Sequence, residues 1–143
     1  MESRRVSEIK RVREKLESGQ TLEFQEKRLL CNELMTREPR MEKLIVKIKQ
    51  GSPRTKIYLQ SLLPIDNSFG RYRKMVGKEQ VIVETNRLYK EMAERHGVTW
   101  IDLYSKMVDP ATGSMRKGLT NDGLHLLGAG YLVWRDAVLP YVK

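Results

Sequence analysis

Two titratable side chains near the C-terminus have the types and the spacing that acid–base chemistry needs. Asp122 and His125 lie three residues apart in the stretch LTNDGLHLLGAGYLVW, and Asn121 and Gly123 beside them favour a tight turn. A carboxylate on the same turn can accept the Nδ1–H of the imidazole, which fixes the tautomer and leaves Nε2 as a general base. The pattern predicts the base half of a nucleophilic triad. The alternative is a capped helix with a surface histidine, because Asp and His are often close in sequence.

The residues around this pair also resemble a known family. The segment DGLHLLGAGY is similar to the last conserved block of the SGNH hydrolases, the GDSL-type esterases and lipases. Two further segments, GSPRTKIYLQSLLP from residue 51 and GVTWIDL from residue 97, resemble the bacterial acylhydrolase branch. The resemblance implies that Asp122 and His125 are catalytic, as two members of a Ser-His-Asp triad. It also implies hydrolysis of a small acyl ester without a metal or an organic cofactor.

Two motifs of that family are missing from the sequence. None of the eight serines follows Gly-Asp, and no G-x-N-D motif precedes Lys56 to supply oxyanion donors. Residues 41–143 therefore resemble the C-terminal part of an SGNH hydrolase domain, and residues 1–40 form a non-matching, charged helical segment. We expect negligible esterase activity from the isolated chain, because a histidine cannot activate a nucleophile that is absent. The chain is then a truncated product, a degenerate relative, or one half completed by a partner chain or in a homo-oligomer.

The composition fits one globular domain with a basic surface. The chain has 143 residues, of which 40% are hydrophobic and 31% charged, and its net charge is +9. The alternative function is a non-catalytic module that binds nucleic acid or an acidic partner. Its basis is this net charge together with three loop cations, Arg71, Arg73 and Lys74. We favour a solvated basic surface over nucleic-acid binding.

Other classes of protein are disfavoured by simple sequence features. No apolar run is long enough to span a bilayer, and the charged first 20 residues are not a signal peptide, so the sequence as written predicts a cytoplasmic protein. This prediction holds for the sequence as written, because a lost N-terminal segment would carry any signal peptide. The single Cys31 cannot form an internal disulfide and is more typical of a core residue. Two distant histidines and one cysteine do not form a metal cluster.

Hydrophobic periodicity predicts the elements that position Asp122 and His125. The predicted helices cover residues 3–17, 21–35, 41–49, 78–96, 103–108 and 126–138, with Pro39 as a break. The predicted strands cover residues 55–62 and 98–103, and strand–helix–strand order makes them parallel neighbours. The fold class is therefore α/β, with three α/β/α layers and a parallel sheet, and the resemblance makes it a partial flavodoxin-like SGNH fold. His96, at the end of the helix predicted at residues 78–96, is assigned no catalytic role.

Overall fold

The computed structural model describes residues 10–12, 14–15, 18–20 and 38–142. Residues 10–12 and 14–15 are helical, in agreement with part of the first predicted helix, and the predicted helix at 21–35 lies outside the described residues. The remaining elements are α1 (Glu38–Gly51), β1 (Tyr58–Gln60), α2 (Glu79–His96), β2 (Thr99–Ile101), α3 (Tyr104–Met107) and α4 (Gly128–Val138). None of the described helices combines the length and the apolar character needed to cross a membrane.

Within the described residues, the sheet consists of two parallel strands, as the sequence predicts. Leu59 of β1 lies opposite Trp100 of β2, with α2 between the strands in the chain. Both strands are shorter than predicted. At the end of β1, the N–H of Leu103 donates to the Oγ of Ser61 at 3.0 Å and so does not continue the ladder to the carbonyl of Ser61. At its start, Thr55 belongs to a turn, where its N–H donates to the carbonyl of Ser52 at 3.0 Å.

One edge of β1 has no strand beside it in the described part of the chain. The carbonyl of Ile57 accepts from Thr99 at 3.3 Å, and the N–H of Ser61 donates to Ile101 at 3.0 Å, so odd-numbered residues of β1 face β2. Alternation along a strand then directs the backbone N–H and C=O groups of Tyr58 and Gln60 to the other side. The order of the described sheet is simply β1–β2, which leaves that second side open.

Helices cover both faces of the sheet and make three layers. On one face, Leu59 packs in a buried cluster with Ile45 of α1 and Met92 of α2. On the other face, Ile101 packs with Ala137 of α4. The two clusters arise because side chains alternate across a strand, so each strand contributes to both cores. The α/β/α arrangement predicted from the sequence is therefore confirmed for this part of the fold.

Two helix boundaries differ from the prediction for local reasons. Helix α1 begins at Glu38, so Pro39 lies in its first turn and does not break the chain. Proline is tolerated there because the first backbone N–H groups of a helix have no intrahelical acceptor. Helix α4 begins at Gly128, because Leu126 forms an antiparallel bridge with Thr120. That bridge closes the segment carrying Asp122 and His125 into a compact turn.

Candidate active site

The predicted hydrogen bond between Asp122 and His125 is present in the turn before α4. Oδ2 of Asp122 lies 2.7 Å from Nδ1 of His125. Oδ1 of the same carboxylate accepts from the backbone N–H groups of Leu124 and His125, each at 2.8 Å. The aspartate therefore fixes both the backbone of the turn and the orientation of the imidazole. The two side chains lie on the same side of the turn, as acid–base chemistry requires.

Gly123 permits this turn for two separate reasons. Its φ is +90°, a region that side-chain-bearing residues rarely adopt. A Cβ at this position would also lie 2.0 Å from the backbone carbonyl oxygen of Asp66. The close approach is stabilised by a hydrogen bond in which the N–H of Asp66 donates to the carbonyl of Gly123 at 2.9 Å. The loop after β1 is thereby held directly against the turn.

The electrostatics of the turn keep Asp122 ionised. The hydrogen bond from His125 is the main factor that holds the pKa of the Asp122 carboxyl far below its usual range, followed by the backbone N–H groups of His125 and Leu124. An ionised carboxylate can only accept hydrogen bonds, so Nδ1 of His125 carries the proton that it shares. The side chain of Asp122 is 14% exposed, whereas that of His125 is 70% exposed. The second nitrogen, Nε2, is then available to act as a base.

Tyr72 is a third member of the group, and the sequence analysis did not assign it to the site. Its hydroxyl donates to Oδ2 of Asp122 at 3.0 Å and lies 3.3 Å from Nδ1 of His125. The rings of Tyr72 and His125 meet edge to face, with centroids 5.9 Å apart. The hydrogen bond to Asp122 raises the pKa of Tyr72, because ionisation would place a second negative charge beside the carboxylate. The pair is therefore supported by a residue from the loop after β1.

An open cleft of about 350 Å³ lies beside the exposed imidazole. Its walls are mostly apolar, with few polar groups, which suits an apolar part of a ligand better than a sugar or a nucleotide. The lining residues come from the end of β1, the segment after β2, the turn and α4: Gln60, Ser61, Leu63, Leu103, Leu124, His125, Leu126, Tyr131 and Trp134. The cleft therefore places an apolar binding surface next to the base.

The serine that lines this cleft has a structural task. Ser61 is buried, and its Oγ accepts from the backbone N–H groups of Leu103 at 3.0 Å and Tyr104 at 2.8 Å. These bonds fix the chain where it leaves β2. Ser105 donates instead to the carboxylate of Asp102. Within the described residues, Tyr72 is the one hydroxyl group that bonds His125, and it does so on the Nδ1 side.

The second histidine joins two helices and takes no part in this site. Nε2 of His96, at the end of α2, lies 2.7 Å from Oε1 of Glu42 in α1. Hydrogen bonds from His96 and then Arg95 lower the pKa of Glu42. No three His, Cys, Asp or Glu side chains of the described residues converge as metal ligands.

A family model supports the resemblance seen in the sequence. The model of the GDSL-like lipase/acylhydrolase family matches residues 13–133. The chain therefore belongs to the GDSL-like lipase/acylhydrolase family. The match begins upstream of residue 41, and a domain boundary near residue 40 stays a prediction. Among curated proteins, none matches the sequence.

Three solved structures share this fold. A candidate platelet activating factor from Streptococcus pneumoniae is 28% identical with a TM-score of 0.66, and the match covers 74% of this chain and 50% of that one. A candidate acylhydrolase from Bacteroides fragilis is 25% identical with a TM-score of 0.61, over 73% of this chain and 50% of that one. A GDSL-like lipase from Bacteroides thetaiotaomicron is 20% identical with a TM-score of 0.59, and the match covers 73% of this chain and 51% of that one. At this identity the likeness shows the fold alone. The chain spans about half the length of these structures.

Proposed function

We propose that this chain supplies the acid–base pair of an acyl ester hydrolase. The observation that carries the proposal is the 2.7 Å hydrogen bond between Asp122 and Nδ1 of His125, beside an apolar cleft and in a chain of an acylhydrolase family. In this scheme Nε2 of His125 removes the proton of a serine hydroxyl as its oxygen attacks the ester carbonyl. The same proton then passes to the leaving alkoxide. Asp122 holds the ring in position and stabilises the imidazolium that forms between the two steps.

The serine and the oxyanion donors of this scheme come from the family segments that the sequence does not contain. Ser61 and Ser105 are engaged in other hydrogen bonds, as described above. Each oxyanion donor contributes about 3–4 kcal/mol of transition-state stabilisation in well-studied hydrolases, so their loss alone removes most of the rate. The chain is accordingly one part of a catalytic unit, and it is completed by a polypeptide carrying the missing blocks.

The first test measures turnover of p-nitrophenyl acetate by the purified chain and by His125→Ala. We expect no saturable turnover from either protein. The wild type should show only weak general-base hydrolysis, which His125→Ala should lack. Saturable turnover that disappears in His125→Ala would show that the chain holds its own nucleophile, and the proposal that another segment supplies it would be wrong.

The second test asks whether the pair works when the domain is complete. Residues 38–142 would replace the matching half of the Bacteroides fragilis candidate acylhydrolase, and the chimera would be assayed beside the intact parent. We expect ester hydrolysis that His125→Ala and Asp122→Asn each reduce by at least about 10³-fold, as triad losses do. A chimera that folds by circular dichroism and stays inactive beside an active parent contradicts the proposal.

A further inference from the structure

The loop between β1 and α2 lies against the Asp122–His125 turn at two points. The N–H of Asp66 donates to the carbonyl of Gly123 at 2.9 Å. Six residues further on, the hydroxyl of Tyr72 donates to the carboxylate of Asp122 at 3.0 Å. The two contacts anchor the loop on both sides of its exposed 3₁₀ turn at Asn67–Phe69. The loop therefore lies directly beside the Asp122–His125 turn.

The acidic groups in and next to this loop are engaged in internal hydrogen bonds. The carboxylate of Asp66 accepts from the N–H of Ser68 at 2.9 Å and caps the first 3₁₀ turn. The carboxylate of Glu79, at the start of α2, accepts from the side-chain amide of Asn67 at 2.6 Å. The cations of the loop differ, because they are exposed and no acidic side chain of the described residues pairs with them: Arg71, Arg73 and Lys74.

Two of these cations flank, in the chain, the residue that contacts the Asp122–His125 pair. Tyr72 lies between Arg71 and Arg73 in the chain, and adjacent Cα atoms are about 3.8 Å apart. Charges separated by less than the screening length, about 8 Å at physiological salt, still act on each other. The positive charge of Arg71 is felt at the Tyr72 hydroxyl, where it opposes the rise in the pKa. A negative group on a ligand bound at His125 would meet the same field.

We propose that the tip formed by Arg71, Arg73 and Lys74 binds an anionic group of the ester substrate. This inference rests on the proposed function and adds the substrate class, an acyl ester bearing a carboxylate or a phosphate. The planar guanidinium groups suit the paired oxygens of such groups, and Lys74 adds a mobile point charge. The apolar cleft beside His125 then takes the uncharged acyl part.

A second basic surface lies at the opposite end of the strands. A cleft of about 530 Å³ at their amino ends is lined by Lys49, Arg54 and Lys56. The turn with His125 lies beyond the carboxyl end of β1, so this cleft does not adjoin it. It provides an internal competitor, since a free anion that sought only positive charge would bind there as well.

The test is a set of ¹H–¹⁵N NMR titrations of the wild-type chain at constant ionic strength. The ligands are inorganic phosphate, acetoxyacetate, and ethyl acetate as a neutral acetyl ester that lacks the carboxylate. The variant Arg71→Gln/Arg73→Gln/Lys74→Gln removes the tip charges. The matched control Arg40→Gln/Lys43→Gln/Lys47→Gln removes three exposed cations from α1. Both triple variants change only exposed side chains, and their spectra report whether the fold is retained.

We expect saturable shifts at the amides of residues 70–75 and at the His125 ring with phosphate and acetoxyacetate, and not with ethyl acetate. Binding should weaken by about ten-fold or more in the tip variant and by less than about two-fold in the control. Equal binding by both triple variants, shifts confined to the Lys49–Arg54–Lys56 cleft, or equal shifts with ethyl acetate would each overturn the inference. So would tighter binding of a short DNA duplex that shifts the tip and α1 alike, because that would indicate a general polyanion surface.

The NMR titration measures binding and the chimera assay measures activity. A negative result can therefore be assigned either to this inference or to the proposed function. An active chimera together with a tip that does not bind anions overturns the substrate class alone. A tip that binds anions together with a folded, inactive chimera overturns the proposed function, and the tip is then an anion site without catalysis.

Discussion

Both oxygens of the Asp122 carboxylate are used to hold the candidate site together. Oδ1 accepts two backbone N–H groups of the turn, and Oδ2 accepts from His125 and Tyr72. This carboxyl has a lowered pKa, so its contribution to stability is present above the ordinary aspartate pKa of about 3.9 and is lost as the pH falls further. Acid therefore loosens the turn, the imidazole and the loop together.

We predict that Tyr72→Phe lowers the stability of the chain in a pH-dependent way. The folded-state pKa of Tyr72 is raised, so the stabilising effect of its hydroxyl is fully present below the ordinary tyrosine pKa of about 10 and declines as the pH rises through the folded value. Urea denaturation of both proteins at a series of pH values would measure this. The gap between wild type and variant should be constant from about pH 6 to 9 and shrink above about pH 10. A gap that widens in alkali would contradict the hydrogen bond to Asp122.

We predict that Gly123→Ala destabilises the chain more than Gly118→Ala does. Both glycines have positive φ values, +90° and +84°, but only at Gly123 would a Cβ meet a backbone oxygen, at 2.0 Å. Backbone strain costs of order 1–3 kcal/mol at either position, and the contact with Asp66 adds at least about 1 kcal/mol at Gly123. Chemical denaturation gives the free energy of unfolding of both variants. Backbone strain lowers it in both, whereas the contact with Asp66 lowers it only in Gly123→Ala. Equal losses would mean that the loop moves away from the turn at little cost.

At the residue scale, a side-chain contact could be predicted from the sequence only where its two residues lie close together in the chain. The contact of Asp122 with His125 follows from turn geometry over three residues, so spacing and glycine were enough to predict it. Tyr72 lies 50 residues from Asp122, and its contact depends on how the loop folds back. An aromatic residue between cations gave no signal that it would bond a distant carboxylate. The catalytic roles of Asp122 and His125 stay a prediction until they are assayed.

Among the elements, the join between β1 and α2 depends on one buried amide. Asn86 of α2 accepts from the N–H of Leu62 and donates to its carbonyl. An amide side chain can serve a backbone donor and acceptor together, as a neighbouring strand would. This side chain fixes the direction in which the chain leaves β1 toward the loop.

We predict that Asn86→Ala destabilises the fold by about 1–3 kcal/mol, because it leaves both polar groups of Leu62 without a partner. Urea denaturation followed by circular dichroism would measure the change. Gln80→Ala, an exposed position on the same helix, is the control and should change stability by less than about 0.5 kcal/mol. A similar loss in the two variants would mean that the hydrogen bonds to Leu62 are not the cause, because alanine itself favours the helix.

Element types followed from the sequence better than element ends did. The apolar stripe of α2 predicted its extent to within one residue, and Gly97 ends it in the left-handed conformation. The strands were overestimated because Thr55 bonds within a turn before β1, and the N–H of Leu103 donates to the Oγ of Ser61 after β2. The second contact joins residues 42 apart in the chain, and no local pattern encodes it.

On the scale of the whole molecule, the described layers form part of a larger architecture. The chain spans about half of the solved structures that it resembles, and the sheet in its described part has two strands. Several large side chains of α4 remain exposed: Tyr131 at 60%, Leu132 at 53% and Trp134 at 37%. The class of fold was predictable because three segments of the sequence resemble one family. The order of the two described strands was predictable because strand, helix and strand follow each other closely.

The open edge of β1 has a consequence for amide hydrogen exchange. The N–H of Ser61 donates into the ladder with β2, and the N–H of Leu59 points the same way, so both amides should exchange slowly. The amides of Tyr58 and Gln60 point to the side where no described strand lies and should exchange with solvent much faster. Exchange followed by NMR would show a fast–slow alternation along four consecutive residues of the isolated chain, and uniform protection would contradict an open edge. In the active chimera, slowed exchange at Tyr58 and Gln60 would show that a further strand has paired along β1.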